Sequence, residues 1–481
     1  MRAQFARQSA RRWLGGLLLS LLPVLPVAAQ DASPVVDAPE YRIERCCDLC
    51  AVASDPAAYN TGFLESFRTL VQGDNGWLFR SKDDLRSHFG PDQAGMQQLQ
   101  RFVDALARKG VQLVMVYQPP RGLMHWQQLP PLERARYPAD MARVSYRFTL
   151  QRFRDLGIVV PPFERLVDEP GQADFYFRRD HHWTPEGARR AAALTAQSIR
   201  DLPAYASISR QAFQTRRAGL LGKSGTLQKA ARQICGFDYP DQYVEQFRTT
   251  GGGDASGLLG ETRAPEIVLA GTSNSDSAYN FAGFLQEALE TEVLNTSIAG
   301  GGFDGALYAY LPTEAFQENL PKVLIWELAS YHNLSEPSFY RQVIPMVNNG
   351  CADQRAAISR RSNVQAGRTE VLFNGDGEVL PLKGRDLQVD LQFSDPTVQL
   401  VRAVIWYTNG RKETVKIEHS KYVDARGRFM FELRDDGDWG DLTFLSMDLQ
   451  MEQAPKPGTT VQADLCHRAD AQPATVQARR S

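Results

Sequence analysis

Histidine and cysteine are scarce in this chain, seven and six among 481 residues, and neither is arranged as a metal set. Cys47-x-x-Cys50 is half of a zinc or redox motif. No second such pair and no nearby histidine pair completes a zinc site, and no thioredoxin-like pattern surrounds it. We therefore assign no metal and no cofactor. There is no excess of positive charge either, with 54 basic against 56 acidic residues. A general nucleic-acid or polyanion binder does not look like this, so an anionic partner must be met by a local basic patch. Long apolar runs are missing except near the start. Arg2, Arg7, Arg11 and Arg12 precede an apolar run from Trp13 to Val24, and Val27-Ala28-Ala29 follows as a small-residue cleavage site. This is the pattern of a secretory signal over residues 1–29, too short and too close to Pro23 and Pro26 for a membrane span. The remaining chain is expected to be exported, with no transmembrane segment, a net charge near −6, and length enough for two or more domains.

In an exported chain, six cysteines suggest disulfides. Cys351 and Cys466 bracket the last segment and are paired here; Cys235 is paired with Cys50 of the N-terminal cluster. The partners of Cys46 and Cys47 stay open.

From residue 59 a helical pattern leads into Gly73-Asp74-Asn75-Gly76-Trp77-Leu78-Phe79, where Asn-Gly marks a turn. A helix is expected over 92–109, a buried strand over 111–117, a helix over 134–156 and a strand over 158–160. A helix then runs to about residue 202, and the segment to about residue 254 reads as less regular, ending in Gly251-Gly252-Gly253. Strands at 267–270, 293–295 and 323–328 and a helix over 278–290 complete an alternation typical of a parallel α/β sheet. Ligand sites in such sheets lie beyond the strand C-termini, where Ser273, Gly300-Gly301-Gly302 and Tyr331 fall.

After about residue 346 the period shortens. Seven short strands, separated by Asn-Gly, Asp-Gly and other glycine turns, read as a β-sandwich. The domains are thus 30–345 and 346–481. Within one sandwich strand Ala403, Ile405 and Tyr407 share one face and Arg402, Val404 and Trp406 the other. With Ile405 in the core, Arg402, Trp406 and Lys416 form an exposed basic and aromatic strip suited to an acidic sugar chain. The alternative is a buried Trp406 on an ordinary solvated face.

The stretch Asp180-His181-His182-Trp183-Thr184 carries the chemistry. Thr184 is an expected N-cap and Pro185 an expected first helical residue. If the segment is extended, Asp180 and His182 face together and His181 points away. A carboxylate beside an imidazole lacks only a nucleophile, and Ser273 stands at a strand-to-helix turn where its own N–H and the helix dipole would meet a developing oxyanion. Taken singly, each residue has a plainer reading: a cap, a core histidine, a turn serine.

Gly76-Trp77-Leu78-Phe79, Asp180-x-His182-Trp183 and Gly271-Thr272-Ser273 together resemble the polysaccharide O-acetyltransferases related to the SGNH hydrolases. The resemblance covers essentially the whole chain and implies a periplasmic enzyme that acetylates mannuronate hydroxyls of alginate. It implies Ser273 as nucleophile, His182 as base and Asp180 as its orienter, with aspartate and histidine preceding serine in the chain. Tyr279 and Tyr331 would line the site, and Arg402, Trp406 and Lys416 would bind polymer, with Val404 where a polar residue is expected. The usual oxyanion asparagine is not identifiable: Asn274, Asn295, Asn333, the Ser273 N–H and the Gly301 loop all remain open. The resemblance also implies an acetyl donor delivered by other acetylation proteins and contacts with periplasmic and outer-membrane alginate export subunits. Deacetylation, or polymer protection without catalysis, are the competing activities.

Overall fold

The computed structural model describes residues 47–171, 173–252, 264–452 and 455–471; the expected signal segment, Cys46 and Gly253 lie outside these. Residues 70–80 form a hairpin of β1 (Leu70–Gln72) and β2 (Leu78–Arg80). Its turn places Asn75 and Gly76 at φ 54° and 74°, left-handed values that these two residues tolerate. The helix expected to precede it is absent. A short 3₁₀ turn at Leu64–Ser66 stands there instead, because Asn60-Thr61-Gly62 interrupts the pattern with turn-forming residues.

Next comes the helix Gln93–Arg108, started by Asp92, whose carboxylate accepts the Gly95 N–H. Leu99, Phe102, Val103 and Leu106 recur on one face and are buried. β3 (Gln112–Gln118) follows. The long helix expected over 134–156 is two, Pro131–Arg136 and Ala139–Asp155, since Pro138 cannot continue a helix. Thr184 caps the helix Pro185–Arg200 through the Gly187 N–H, with Pro185 at its first position.

The segment read as irregular is regular. β4 (Phe213–Lys223) and β5 (Gln242–Gly251) form a long antiparallel ribbon, and the helix Thr226–Cys235 lies between them. Its strands alternate half-buried with exposed residues rather than apolar with polar ones, which hides the period. β6 (Ile267–Ala270), β7 (Leu294–Asn295) and β8 (Val323–Ala329) complete a parallel sheet in the order β3-β8-β6-β7, with Val159 bridging β3 in parallel. β6 and β8 are buried at every position, as expected for a sheet covered on both faces.

The helix Pro337–Val347 leads into two four-stranded antiparallel sheets. The strands are β9 (Ile358–Asn363), β10 (Gly367–Phe373), β11 (Leu387–Phe393), β12 (Leu400–Tyr407), β13 (Lys412–Glu418), β14 (Arg428–Glu432), β15 (Phe444–Met451) and β16 (Thr460–His467). One sheet runs β10-β15-β12-β13 and the other β14-β11-β16-β9. The sandwich therefore has one strand more than expected. β9 escapes notice because Ser359, Arg360 and Arg361 leave it without an apolar face.

Disulfides join Cys50 to Cys235 and Cys351 to Cys466. Cys47 is also disulfide-bonded. The two modules are fastened together: Arg101 of the first pairs with Glu432 (2.7 Å) and Asp470 (2.9 Å) of the second. Val423 and Met430 of the sandwich belong to the core of the α/β module. Among the described residues no helix is long and apolar enough to cross a membrane.

Candidate active site

Tyr176 bridges to Trp183, and the N–H groups of Phe177 and Thr184 donate to the carbonyls of His182 (3.1 Å) and Phe175 (2.9 Å). Residues 177–182 are thus a tight loop and not the extended segment expected. Buried Arg121 holds the loop, donating to the carbonyls of Phe177 and Arg178 while pairing with Asp84. Asp180 and His182 still meet, through an Asx turn: Asp180 Oδ1 accepts the His182 N–H at 3.0 Å and also faces His182 Nδ1. His181 does not point away. Its ring centroid lies 3.9 Å from that of His182, and its Nδ1 is 2.8 Å from Thr226 Oγ1.

From the other side β6 delivers Gly271-Thr272-Ser273, and His182 Nε2 lies 2.8 Å from Ser273 Oγ. A hydroxyl, an imidazole and a carboxylate therefore form one hydrogen-bonded chain at the C-terminal edge of the sheet. The loop and the serine turn are tied by Trp183, whose indole N–H donates to the Asn274 carbonyl at 2.7 Å.

Asp180 is fully buried. Burial would raise its carboxyl, but the charge and hydrogen bond of His182, then His181 and Lys223, outweigh it and hold the group well below its ordinary value. Its second oxygen accepts the Thr226 N–H at 2.7 Å. The chain comes this close because residue 225 is glycine: a Cβ there would lie 1.9 Å from the Arg179 carbonyl oxygen. Among the described residues Asp180, His181 and His182 are the one group near enough to share a metal ion, with ligand atoms within 4.8 Å. Asp180 and His182 are bonded to each other and onward to Thr226 and Ser273, so the group reads as a proton-transfer chain.

Ser273 opens a single 3₁₀ turn, Ser273–Ser275. The helix expected from residue 278 begins only at Phe281, after a second 3₁₀ turn and a left-handed Asn280. The helix that follows therefore does not start at Ser273. Glu327 of β8 supports the turn instead. It is fully buried, and Oε2 accepts the Thr272 N–H and the Ser275 hydroxyl, both at 2.8 Å, while Oε1 accepts Gln118 Nε2 at 2.5 Å. Burial raises its carboxyl and these donors oppose the rise. Gly271 is required beneath it, since a Cβ would lie 2.8 Å from Oε2. A lone acid inside Val-Leu-Ile-Trp-Glu-Leu-Ala is the signal that sequence reading passes over. Glu327→Gln should leave the fold intact and lower turnover about ten- to hundredfold through misplacement of Ser273. Steady-state kinetics on an acetyl ester, beside a thermal melt, check this.

Several expected oxyanion donors are committed elsewhere. Asn274 is buried, its Oδ1 accepting the Trp183 N–H and its amide nitrogen donating to Thr272 Oγ1. Asn295 Nδ2 donates to the Ser275 carbonyl; Asn333 is tied instead through its oxygen, Oδ1 accepting the Ser335 N–H. The Gly301 N–H donates to the Ile298 carbonyl; its loop contacts the sandwich, where the Ser420 hydroxyl donates to the Gly300 carbonyl. The Ser273 N–H meets no protein acceptor among the described residues.

Tyr279 stacks on His182 with centroids 5.3 Å apart. Burial, then the charges of Asp180 and Asp276, raise its phenol, so the hydroxyl keeps its proton. Tyr331 lies on the Arg80 guanidinium at 4.6 Å and its carbonyl accepts from Arg86; Tyr279 is the tyrosine that touches the imidazole.

On the sandwich, Ala403, Ile405 and Tyr407 are fully buried while Arg402 and Trp406 are partly exposed, and Val404 is covered. Arg402 and Lys416 are register partners across β12 and β13. Their charges are locally matched, Arg402 with Glu452 at 2.9 Å and Lys416 with Glu418 at 2.6 Å. Trp406 donates to Asp448 at 3.0 Å, and Lys412, which sequence reading does not single out, sits over its ring at 5.4 Å.

A serine hydroxyl, histidine and aspartate gathered at the edge of a parallel sheet, with an antiparallel sandwich attached, define an SGNH hydrolase-like protein carrying a carbohydrate-binding module. Two family descriptions match accordingly: SGNH hydrolase-like domain, acetyltransferase AlgX, over residues 70–330, and C-terminal carbohydrate-binding module over 350–478. The alginate biosynthesis protein AlgX of Pseudomonas aeruginosa is 44% identical, across 93% of this chain and 94% of that protein. AlgX of Azotobacter vinelandii is 40% identical across 97% and 98%. The solved structure of the Pseudomonas aeruginosa protein superimposes with a TM-score of 0.82, covering 88% of this chain and all of that one. The chain belongs to the AlgX family.

Proposed function

We propose that this protein is a periplasmic O-acetyltransferase that moves acetyl groups onto hydroxyls of mannuronate residues in alginate. The observation that carries the reading is the 2.8 Å contact of Ser273 Oγ with His182 Nε2, backed by Asp180 at Nδ1. His182 takes the Ser273 proton as Oγ attacks the carbonyl carbon of an acetyl ester. The oxyanion is met by the Ser273 N–H. Collapse breaks the donor's acyl–oxygen bond, His182 returns the proton to the leaving oxygen, and acetyl-Ser273 remains. His182 then removes a proton from a sugar hydroxyl, which attacks the acetyl carbon; the bond to Ser273 breaks and Oγ recovers its proton. Asp180 holds the imidazole tautomer and its charge throughout.

Transfer in place of hydrolysis needs the acceptor to outcompete water. A fused polymer-binding module favours this by raising the local sugar concentration. The relatives named for alginate biosynthesis supply the substrate class. A relative in Pseudomonas aeruginosa named probable alginate O-acetylase AlgJ, 29% identical over 62% of this chain, supports the reaction class. The acetyl donor would come from other acetylation proteins, and the polymer would pass to export subunits.

Purified mature protein, a chromogenic acetyl ester and defined oligomannuronates, read by mass spectrometry, test the reading. Acetylated oligomers are expected; ester cleavage with unmodified oligomers would make the protein an esterase, and oligomer binding without either would make it a polymer-protecting protein. The combined change Arg402→Ala, Trp406→Ala and Lys416→Ala should raise KM for long polymer about ten- to hundredfold and leave short oligomers little affected. Equal KM values for long polymer would remove these residues from the binding surface.

A further inference from the structure

We infer that Lys223 is the acceptor-carboxylate contact of the active site, the residue that makes the enzyme select uronate sugars. The inference rests on the transferase reading given above and adds a specificity residue to it.

The cations around the site differ in how they are occupied. Arg80 is neutralised by Asp83 and Asp84, Arg121 by Asp84, and Arg178 by Asp174. Arg179 donates to the carbonyls of Gly76 and Pro240. Lys223 pairs with no carboxylate among the described residues. Its ammonium donates to the Tyr279 hydroxyl at 2.6 Å and sits 5.2 Å from that ring's centroid. It acts on Asp180 only through space.

Tyr279 is the ring stacked on His182, so the ammonium stands at the far edge of the surface that flanks the reacting hydroxyl. Its place is fixed. Lys223 ends β4, opposite Gln242, and Gln242 accepts the Arg178 N–H at 2.9 Å. Two and three residues later, Gly225 lies against Arg179 and Thr226 donates its N–H to Asp180. The tie to Asp180 therefore also sets the ammonium. A half-buried cation with a hydroxyl partner and no counterion among the described residues is arranged to take an incoming anion, because little desolvation remains and no ion pair seen here must break. The anion an acidic polysaccharide offers is the sugar carboxylate.

The test measures KM for transfer, and Kd by calorimetry, with short oligomannuronates and their methyl esters, in wild type, Lys223→Met and Lys223→Arg. Methionine keeps the aliphatic packing of the stem and arginine keeps the charge. The wild type should prefer the charged acceptor about tenfold, Lys223→Met should lose that preference, and Lys223→Arg should recover much of it. The preference should also shrink as salt rises. An undiminished preference in Lys223→Met would overturn the assignment. A wild type that transfers acetyl to neither acceptor would remove the transferase reading, and the Kd ratios would still decide the role of Lys223.

Discussion

Ser273→Ala is expected to abolish both ester cleavage and acetyl transfer, with turnover falling on the order of 10⁴-fold or more while oligomannuronate binding is kept. The size follows from the geometry. Ser273 Oγ is the hydroxyl at hydrogen-bond distance from His182 Nε2, and without it no acetyl-enzyme can form. The residual rate would be direct attack of water on bound ester, assisted by the Ser273 N–H that the alanine backbone retains. The fold should not suffer, since Thr272, Asn274 and Ser275 hold the turn through Glu327 and Trp183. Progress curves on an acetyl ester with a matching thermal melt check both halves of the prediction.

Asp180→Asn should lower turnover on the order of 10³- to 10⁴-fold, by favouring the wrong imidazole tautomer and leaving the developing imidazolium without its counter-charge. A second effect is on stability. Asp180 is lower in the fold than in the unfolded chain, because its interactions with His182, His181 and Lys223 exceed the effect of burial. A depressed carboxyl contributes stability that is fully present above its unfolded value, near ~3.9, and is lost as pH falls through its folded value. The stability gap between wild type and Asp180→Asn should therefore narrow below about pH 4. Urea unfolding at neutral and acid pH measures it; a constant gap would mean that Asp180 gains nothing from ionisation in the fold. His181→Ala should act more weakly, since His181 contacts Thr226 and the face of His182 and does not bond Ser273.

The parallel sheet is legible in the sequence because its strands are short apolar runs bounded by turns, and the sandwich because its strands alternate. What escapes notice lacks those periods: the β4–β5 ribbon, with polar and glycine residues throughout, and β9, with five consecutive polar residues, Ser359 to Asn363. The hidden ribbon also conceals Lys223, which can be connected to Tyr279 only once the ribbon is folded over the site. Asp180, His182 and Ser273 can be picked out as a set because few residue types perform acyl transfer. The reason Asp180 meets His182 cannot be read the same way. Strand alternation and an Asx turn both bring residues two apart together, and only the loop's closure by Tyr176 and Trp183 distinguishes them. Glu327 is invisible for a related reason: its importance lies in a turn more than fifty residues away in sequence. The oxyanion donor fails as a sequence reading because asparagines near a serine are common, whereas their amides here hold turns.

The central claim is that Ser273 carries the acetyl group between donor and sugar. Rapid quenching of the wild-type protein with an acetyl ester, followed by peptide mass mapping, tests it most directly. One acetyl group is expected on the peptide containing Ser273, absent from His182→Ala and discharged when oligomannuronate is added, with the acetyl recovered on the sugar. An unmodified Ser273 peptide during active transfer, or an acetyl-Ser273 that oligomannuronate cannot discharge, would contradict it.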